Sequence, residues 1–333
     1  MAIFNVALFG AGRIGAVHAR NIVEHGETRL KYVVDPAATP ARSLADKFGA
    51  RVVAENAVWS DPDVHAIVIG SATATHADLI KKGLKAGKAV FCEKPIDLSM
   101  ARVDEVMKVV DGCEQPLFLA FNRRFDPGIL EMKRRIVAGE IGALELVTVV
   151  SKDPGGGLPI DYLRISGGMF RDMTVHDFDM ARYIMGEEFV TIQAAAAALT
   201  DPAIREIGDI DTASVSMQTA SGKIAVITNS RRASYGYDQR VEAHGALGAL
   251  RTENIAQHML VQERADGVLR AKPQFFFVER YAQSYANEWG HFVRVLKGEE
   301  RPSASGEDGR KALQLAEAAY RSLETGQRVS VPL

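Results

Sequence analysis

Gly10-Ala11-Gly12-Arg13-Ile14-Gly15 follows the strand-like run Ile3–Phe9 without a gap and opens a helical pattern. Three glycines at this spacing, on a strand-to-helix turn, have separate tasks. The first permits the tight turn, the second lets a pyrophosphate approach the backbone, and the third lets helix and strand pack closely. The start of the helix adds unsatisfied N–H groups and the positive end of a dipole. Alone, the spacing is compatible with a plain glycine-rich turn. Asp35 changes that, because it ends the second apolar strand twenty residues beyond Gly15, where an acid accepts the ribose hydroxyls of a dinucleotide. The same carboxylate would repel the extra phosphate of NADP, so NAD is the expected cofactor. The competing reading is that Asp35-Pro36 merely starts a turn.

Outward from this turn, strands are expected at Ile3–Phe9, Leu30–Asp35, Ala66–Ile69, Ala89–Cys92 and Leu117–Ala120, with helices beginning near Ile14, Ala41, Thr75 and Ser99. This alternation predicts a doubly wound parallel sheet, a Rossmann domain over residues 1–120. After Phe121 the pattern changes. A helix near Pro127–Ala138 precedes strands at Leu144–Ser151, Thr191–Ala197, Ala213–Gln218 and Ile224–Asn229, with turns at Ala220-Ser221-Gly222 and Ala246-Leu247-Gly248. The second domain, 121–333, is therefore expected to be α+β with a large, open, mostly antiparallel sheet. Such a sheet needs a cover on its second face, and a partner subunit is a common one. The alanine run 194–198 reads as close packing. The last helix, about 306–323 with Ser305 as its N-cap, is expected to pack back toward the N-terminal domain.

The chain has 333 residues and a formal net charge of -2, with no long run of one sign. That argues against nucleic acid or a membrane surface as partner. The N-terminus has no basic leader or cleavage pattern, and no segment is apolar for long enough to span a bilayer. The two cysteines, Cys92 and Cys113, lack metal-ligand spacing, and a reducing cytoplasm is the simplest compartment. No metal is expected.

Phe91-Cys92-Glu93-Lys94-Pro95 ends a parallel strand on the sheet edge where ligands gather in open α/β folds. A lysine there can set a cation beside a substrate oxygen, and Pro95 can fix the bend, with a cis bond as one way of doing so. In Gly168-Met169-Phe170-Arg171-Asp172-Met173-Thr174-Val175-His176-Asp177-Phe178-Asp179, the residues Asp172, His176 and Asp179, with Tyr183 beyond, recur at steps of four and three. On one helix they share a face of carboxylate, imidazole, carboxylate and phenol, which is not a core stripe. An exposed, routinely charged helix is the alternative. His18, His65, His244 and His291 lack such company and are assigned to structure or solvent.

Together the glycine turn, Glu93-Lys94-Pro95 and the Gly167-Gly168 to Asp172 to His176 segment resemble the glucose-fructose oxidoreductase / inositol dehydrogenase family over nearly the whole chain. Phe121-Asn122-Arg123-Arg124-Phe125-Asp126-Pro127 is similar to a segment of its inositol-oxidising members. One departure is Ala74, where the family often has proline. The resemblance implies a catalytic set of Lys94, Asp172 and His176, and NAD held by Gly10, Ala11, Gly12, Arg13, Ile14, Gly15, Asp35, Ser71, Thr73, His76, Glu93 and Lys94. It implies a small polyol substrate bound by Lys94, Asn122, Arg124, Asp172, His176, Asp179 and Tyr235, with Lys152-Asp153-Pro154 at another pocket edge, and a homotetramer. The implied reaction is oxidation of the C2 hydroxyl of myo-inositol to 2-keto-myo-inositol. His176 would take the hydroxyl proton, since its ordinary pKa lies near neutrality; Lys94 would steady the reacting oxygen and Asp172 would orient the ring. The alternatives are another inositol isomer, cyclic polyol or aldose, an NAD-dependent glycoside-cleaving enzyme, and a non-catalytic NAD-binding regulator.

Overall fold

The computed structural model describes residues 3–155 and 158–332. The chain forms two compact units. One contains residues up to Phe125 together with Ser284–Leu313, and the other runs from Asp126 to Gln283 and resumes at Gln314.

The first unit holds six strands, β1 (Phe4–Phe9), β2 (Thr28–Val34), β3 (Arg51–Val52), β4 (Ala66–Ile69), β5 (Ala89–Glu93) and β6 (Leu117–Ala120). All pair in parallel, in the order β3-β2-β1-β4-β5-β6. The order reverses at β1, and the crevice beyond the strand ends at such a point is where α/β sheets bind ligands. β4 and β6 are buried throughout, as strands with both faces covered should be. The helix Ala282–Leu296 supplies Trp289 and Phe292 to one cover: Phe91 stacks on Phe118 at 5.1 Å between ring centres and meets Trp289 and Phe292 edge-on at 5.7 and 5.3 Å. Ser305 caps the last helix, Gly306–Thr325, as expected, with Asp308 completing the reciprocal pair: Ser305 N and Oγ each donate to Asp308 Oδ2 at 2.8 Å.

The second unit carries β7 (Leu144–Lys152), β8 (Phe189–Ala197), β9 (Thr212–Thr219), β10 (Ile224–Ser230), β11 (Asp238–Gly245), β12 (Gly248–Arg251), the separate hairpin β13 (Val261–Arg264) and β14 (Gly267–Arg270), and β15 (Val329–Ser330). The main sheet runs β12-β11-β7-β10-β9-β8-β15. Every pair in it is antiparallel except β7 with β10. The turns at 220–222 and 246–248 link β9 to β10 and β11 to β12. The helix Val175–Met185 lies on one sheet face, where Val149, Val215 and Ile227 are buried. The other face is open. Cross-strand register places Ala195, Ser214, Thr228 and Val150 in one row, with Gln193, Ser216, Val226 and Thr148 in the next. None of these eight is charged. Ala195 and Ala197 are exposed on this face, so the alanine run is not packed within its own chain at these positions.

Candidate active site

In the first unit the three glycines divide their work as the spacing predicts. Gly10 has φ +101°, and a Cβ there would lie 2.5 Å from the Gly70 carbonyl oxygen. A Cβ on Gly15 would lie 2.0 Å from the Gly10 oxygen, so only glycine lets the helix Arg13–Glu24 come this close to β1. Gly12 is the opposite case, with nothing within 4 Å of the Cβ position. That open space, at a helix start without a side-chain cap, fits a pyrophosphate. Asp35 is fixed by two backbone amides: Ala11 N donates to Oδ2 and Ala37 N to Oδ1, each at 2.7 Å. Each oxygen keeps a further lone pair for a ribose hydroxyl. Asp35 thereby ties the glycine turn to the end of β2, a task that its position in the sequence did not reveal.

Ser71 and Thr75 share a hydrogen bond at 2.6 Å, and Thr73 stands in the same short helical turn, Thr73–Thr75. His76 is buried. Its Nδ1 is 2.7 Å from the Pro95 oxygen and its Nε2 3.1 Å from the Ser71 oxygen, and burial pulls its pKa below the usual value. The ring therefore braces the 71–75 loop against the bend after Lys94, and the Lys94–Pro95 bond is cis. Lys94 itself is half-buried at the end of β5. Glu93 Oε1 meets His18 Nε2 at 2.8 Å. His18 is thus a structural histidine, and its partner is the acid beside Lys94. Cys92 is wholly buried, which pushes its thiol pKa up and leaves it inert.

Asn122 and Arg124 lie in the turn Asn122–Phe125, both buried. Arg124 donates to Asp308 Oδ1 at 2.9 Å and to the Ser303 carbonyl. Its guanidinium is therefore engaged in joining this turn to the start of the last helix.

In the second unit, Asp172 and His176 do not share one unbroken helix. Asp172 ends the short helix Met169–Asp172, and the helix carrying His176 starts at Val175. The helix is interrupted at Met173–Thr174, although both residues keep right-handed helical dihedrals, and other contacts help to set the two side chains. Tyr162 Oη donates to Asp172 Oδ1 at 2.8 Å, and Arg231 Nη2 approaches Oδ2 at 3.5 Å. Around His176, Asn229 holds both flanks: it accepts from Thr174 Oγ1 at 2.8 Å and donates to Asp177 Oδ2 at 2.7 Å and to the Ser151 oxygen at 3.3 Å. Most of the helix Val175–Met185 is buried, whereas His176 and Tyr183, seven residues apart, are half-exposed. Positions so spaced share a face. Asp179 is buried within the same helix, 3.9 Å from Arg182.

Tyr235 shares a cleft lining with Asn229. It lines an open cleft of about 730 Å³ with Lys152, Ala195, Ser214 and Thr228, at the end of the uncovered sheet face. Its hydroxyl donates to Asp238 Oδ2 at 2.6 Å. Burial and that carboxylate push the Tyr235 pKa up to about 12. Burial works against ionisation of Asp238, but donors on Arg240, Tyr235 and Asn254 overcome it and hold its carboxyl at about 2.

Tyr162, Asn229 and Arg231 escaped the sequence reading. A signal was present for the last two. Ala225, Ile227, Asn229 and Arg231 alternate along one side of β10 and its extension, and an apolar inward series that ends in two polar residues marks a buried polar site.

Comparison with known proteins places this geometry. Residues 4–121 match the oxidoreductase family with the NAD-binding Rossmann fold, and residues 129–251 match the GFO/IDH/MocA C-terminal domain. The chain belongs to this NAD-binding oxidoreductase family. It is 46% identical to the inositol 2-dehydrogenase of Rhizobium meliloti over 97% of this chain and 98% of that one. It is 40% identical to the myo-inositol 2-dehydrogenase of Thermotoga maritima over 98% of both. The crystal structure of a putative myo-inositol dehydrogenase from Sinorhizobium meliloti superposes with a TM-score of 0.96 at 46% identity, covering 99% of this chain and 100% of that one. Among the described residues no helix is long and apolar enough to cross a membrane.

Proposed function

We propose that this protein is an NAD-dependent inositol dehydrogenase that oxidises the C2 hydroxyl of myo-inositol to 2-keto-myo-inositol. The observation that carries the reading is an acceptor, Asp172, contacted by two donors and followed four residues later by a half-exposed imidazole whose neighbours Thr174 and Asp177 are held by Asn229, in a chain 46% identical to an inositol 2-dehydrogenase. A non-catalytic binding module has no need of such a pair.

NAD, when bound, supplies the hydride acceptor. Gly10, Gly12 and Gly15 shape the turn for its pyrophosphate, and Asp35 accepts from the ribose. His176 takes the proton of the reacting hydroxyl, because an imidazole is the side chain that is both basic and unprotonated near neutrality. The Lys94 ammonium hydrogen-bonds the reacting oxygen and stabilises the negative charge that grows there. Asp172 accepts from a neighbouring hydroxyl and so fixes the ring. The wild-type protein should form NADH from myo-inositol and fail to do so from glycosides that lack a free ring polyol, and it should prefer NAD to NADP. His176→Ala should lower kcat by at least about 100-fold with NADH affinity retained. Equal losses in both would refute the assignment of the base.

The assembly we propose is a homotetramer built on the open sheet face, with a cytoplasmic location that suits the unpaired Cys92 and Cys113. Over β8, β9, β10 and β7 these rows carry no charge, which allows a second sheet to approach there. Sedimentation at the tetramer mass, lost in Ser214→Arg/Thr228→Arg, is the expected result. A monomeric wild type would refute it.

A further inference from the structure

Arg231 is buried, 7% exposed, one residue beyond the end of β10. One amino group, Nη2, faces Asp172 Oδ2 at 3.5 Å. The other two donor atoms, Nε and Nη1, are buried with no hydrogen-bond partner among the described residues. A buried guanidinium with donors unused is costly, and such a group calls for an explanation. Asp172 offers the complementary half, since a carboxylate can only accept and a guanidinium can only donate. A hydroxyl group does both. Its O–H can donate to Asp172 while its oxygen lone pairs accept from Arg231, so the pair is matched to an alcohol and mismatched to a carbonyl or a missing oxygen.

We propose that Arg231 is a specificity-determining residue: it positions Asp172 and donates to the same substrate hydroxyl that Asp172 accepts from, selecting the configuration of the carbon next to the oxidised one. The inference rests on the inositol-dehydrogenase reading above.

The test uses full-length wild type, Arg231→Met and Arg231→Lys, assayed for NADH formation with myo-inositol, scyllo-inositol and D-chiro-inositol, together with NADH affinity by fluorescence. Arg231→Lys keeps the buried charge, and with it the fold, should Arg231→Met not fold. The expected result is a KM for the preferred isomer raised at least tenfold in either variant, a kcat changed much less, and NADH affinity within twofold. The ratio of kcat/KM values between isomers should fall toward one. A purely structural role would leave that ratio in place. An active wild type whose variants keep both KM and isomer ratio overturns the proposal while sparing the proposed function. A wild type silent with every inositol overturns both.

Discussion

Replacing Asn229 by Ala removes three hydrogen bonds at once, to Thr174, Asp177 and the Ser151 carbonyl. All four residues are nearly or wholly buried, so water cannot replace what is lost. The bond from the Thr174 hydroxyl is neutral and worth about 1 kcal/mol, while the one to the Asp177 carboxylate is worth roughly 1.5–3 kcal/mol. Leaving the buried Asp177 oxygen short of a donor adds to this, for a total of about 3–5 kcal/mol. For a unit of this size the loss lowers Tm by on the order of 10 °C. The functional effect is separate. Thr174 and Asp177 bracket His176, and a base displaced by about 1 Å can cost about 100-fold in rate. Asn229→Ala should therefore lower kcat by about 100-fold at a temperature well below its own Tm, with NADH affinity unchanged, because the glycine turn and Asp35 belong to the other unit. Adding Thr174→Val should cost little more, since the same bond is already gone. Additive losses in the double variant, or a fall in NADH affinity that matches the fall in kcat, would refute the view that Asn229 acts through His176.

Glycine substitutions should separate two kinds of role. Gly12→Ala should leave Tm within about 2 °C, because nothing stands near its Cβ position, yet weaken NADH binding by at least about tenfold, roughly 1.4 kcal/mol. Gly15→Ala must push the turn away from the Gly10 oxygen and should lower both Tm and NADH affinity; calorimetry and fluorescence titration read the two effects. Glu288 supplies a pH test. It is wholly buried, neither carboxyl oxygen has a hydrogen-bond partner among the described residues, and burial, aided by the negative Glu93, raises its pKa well above the ordinary value. The unfolded carboxyl ionises near pH 4.3 while the folded one holds its proton, so stability is full below that pH and is lost as pH rises toward the folded pKa. Glu288→Gln cannot ionise, and its Tm relative to wild type should improve between pH 4 and pH 8 by at least about 3 °C; a difference constant with pH would contradict this.

The first unit was legible because its signals are local. Strand, glycine turn, helix and a following acid all fall within Ile3–Asp35, and each backbone requirement names its own residue: a positive φ at Gly10 and a near-contact at Gly15. The parallel order around β1 follows from such units with little freedom. The open sheet was readable from period-two patterning, but its one parallel pair, β7 with β10, was not, because strand order across a long connection is not encoded in any single segment. Asp172 and His176 were visible as chemistry-bearing residues, although the interruption of their helix at Met173–Thr174 was not. Tyr162 was missed because a partner ten positions away leaves no local pattern, and the alternating series that ends in Asn229 and Arg231 marks a buried polar site without naming partners 55 and 59 positions away. Tyr235 was named for its polar side chain, while its hydrogen bond to Asp238 was not visible in the sequence.

The break at Met173–Thr174 has a consequence for how this site can change. On a continuous helix, residues four apart are locked to one face by the backbone, and their separation cannot be tuned without distorting the helix. Here the helix is interrupted, and the inward-facing end of β10 adds contacts, Asn229 to the turn that carries His176 and Arg231 to Asp172. Arg231 follows directly on β10, two positions after Asn229, and both side chains are buried, so neighbouring positions of one segment contact the turn of the base and the acceptor separately. A substitution at either position can therefore shift one partner while leaving the other in place. Changes in substrate geometry can then be met from the sheet, with Asp172 and His176 themselves unaltered.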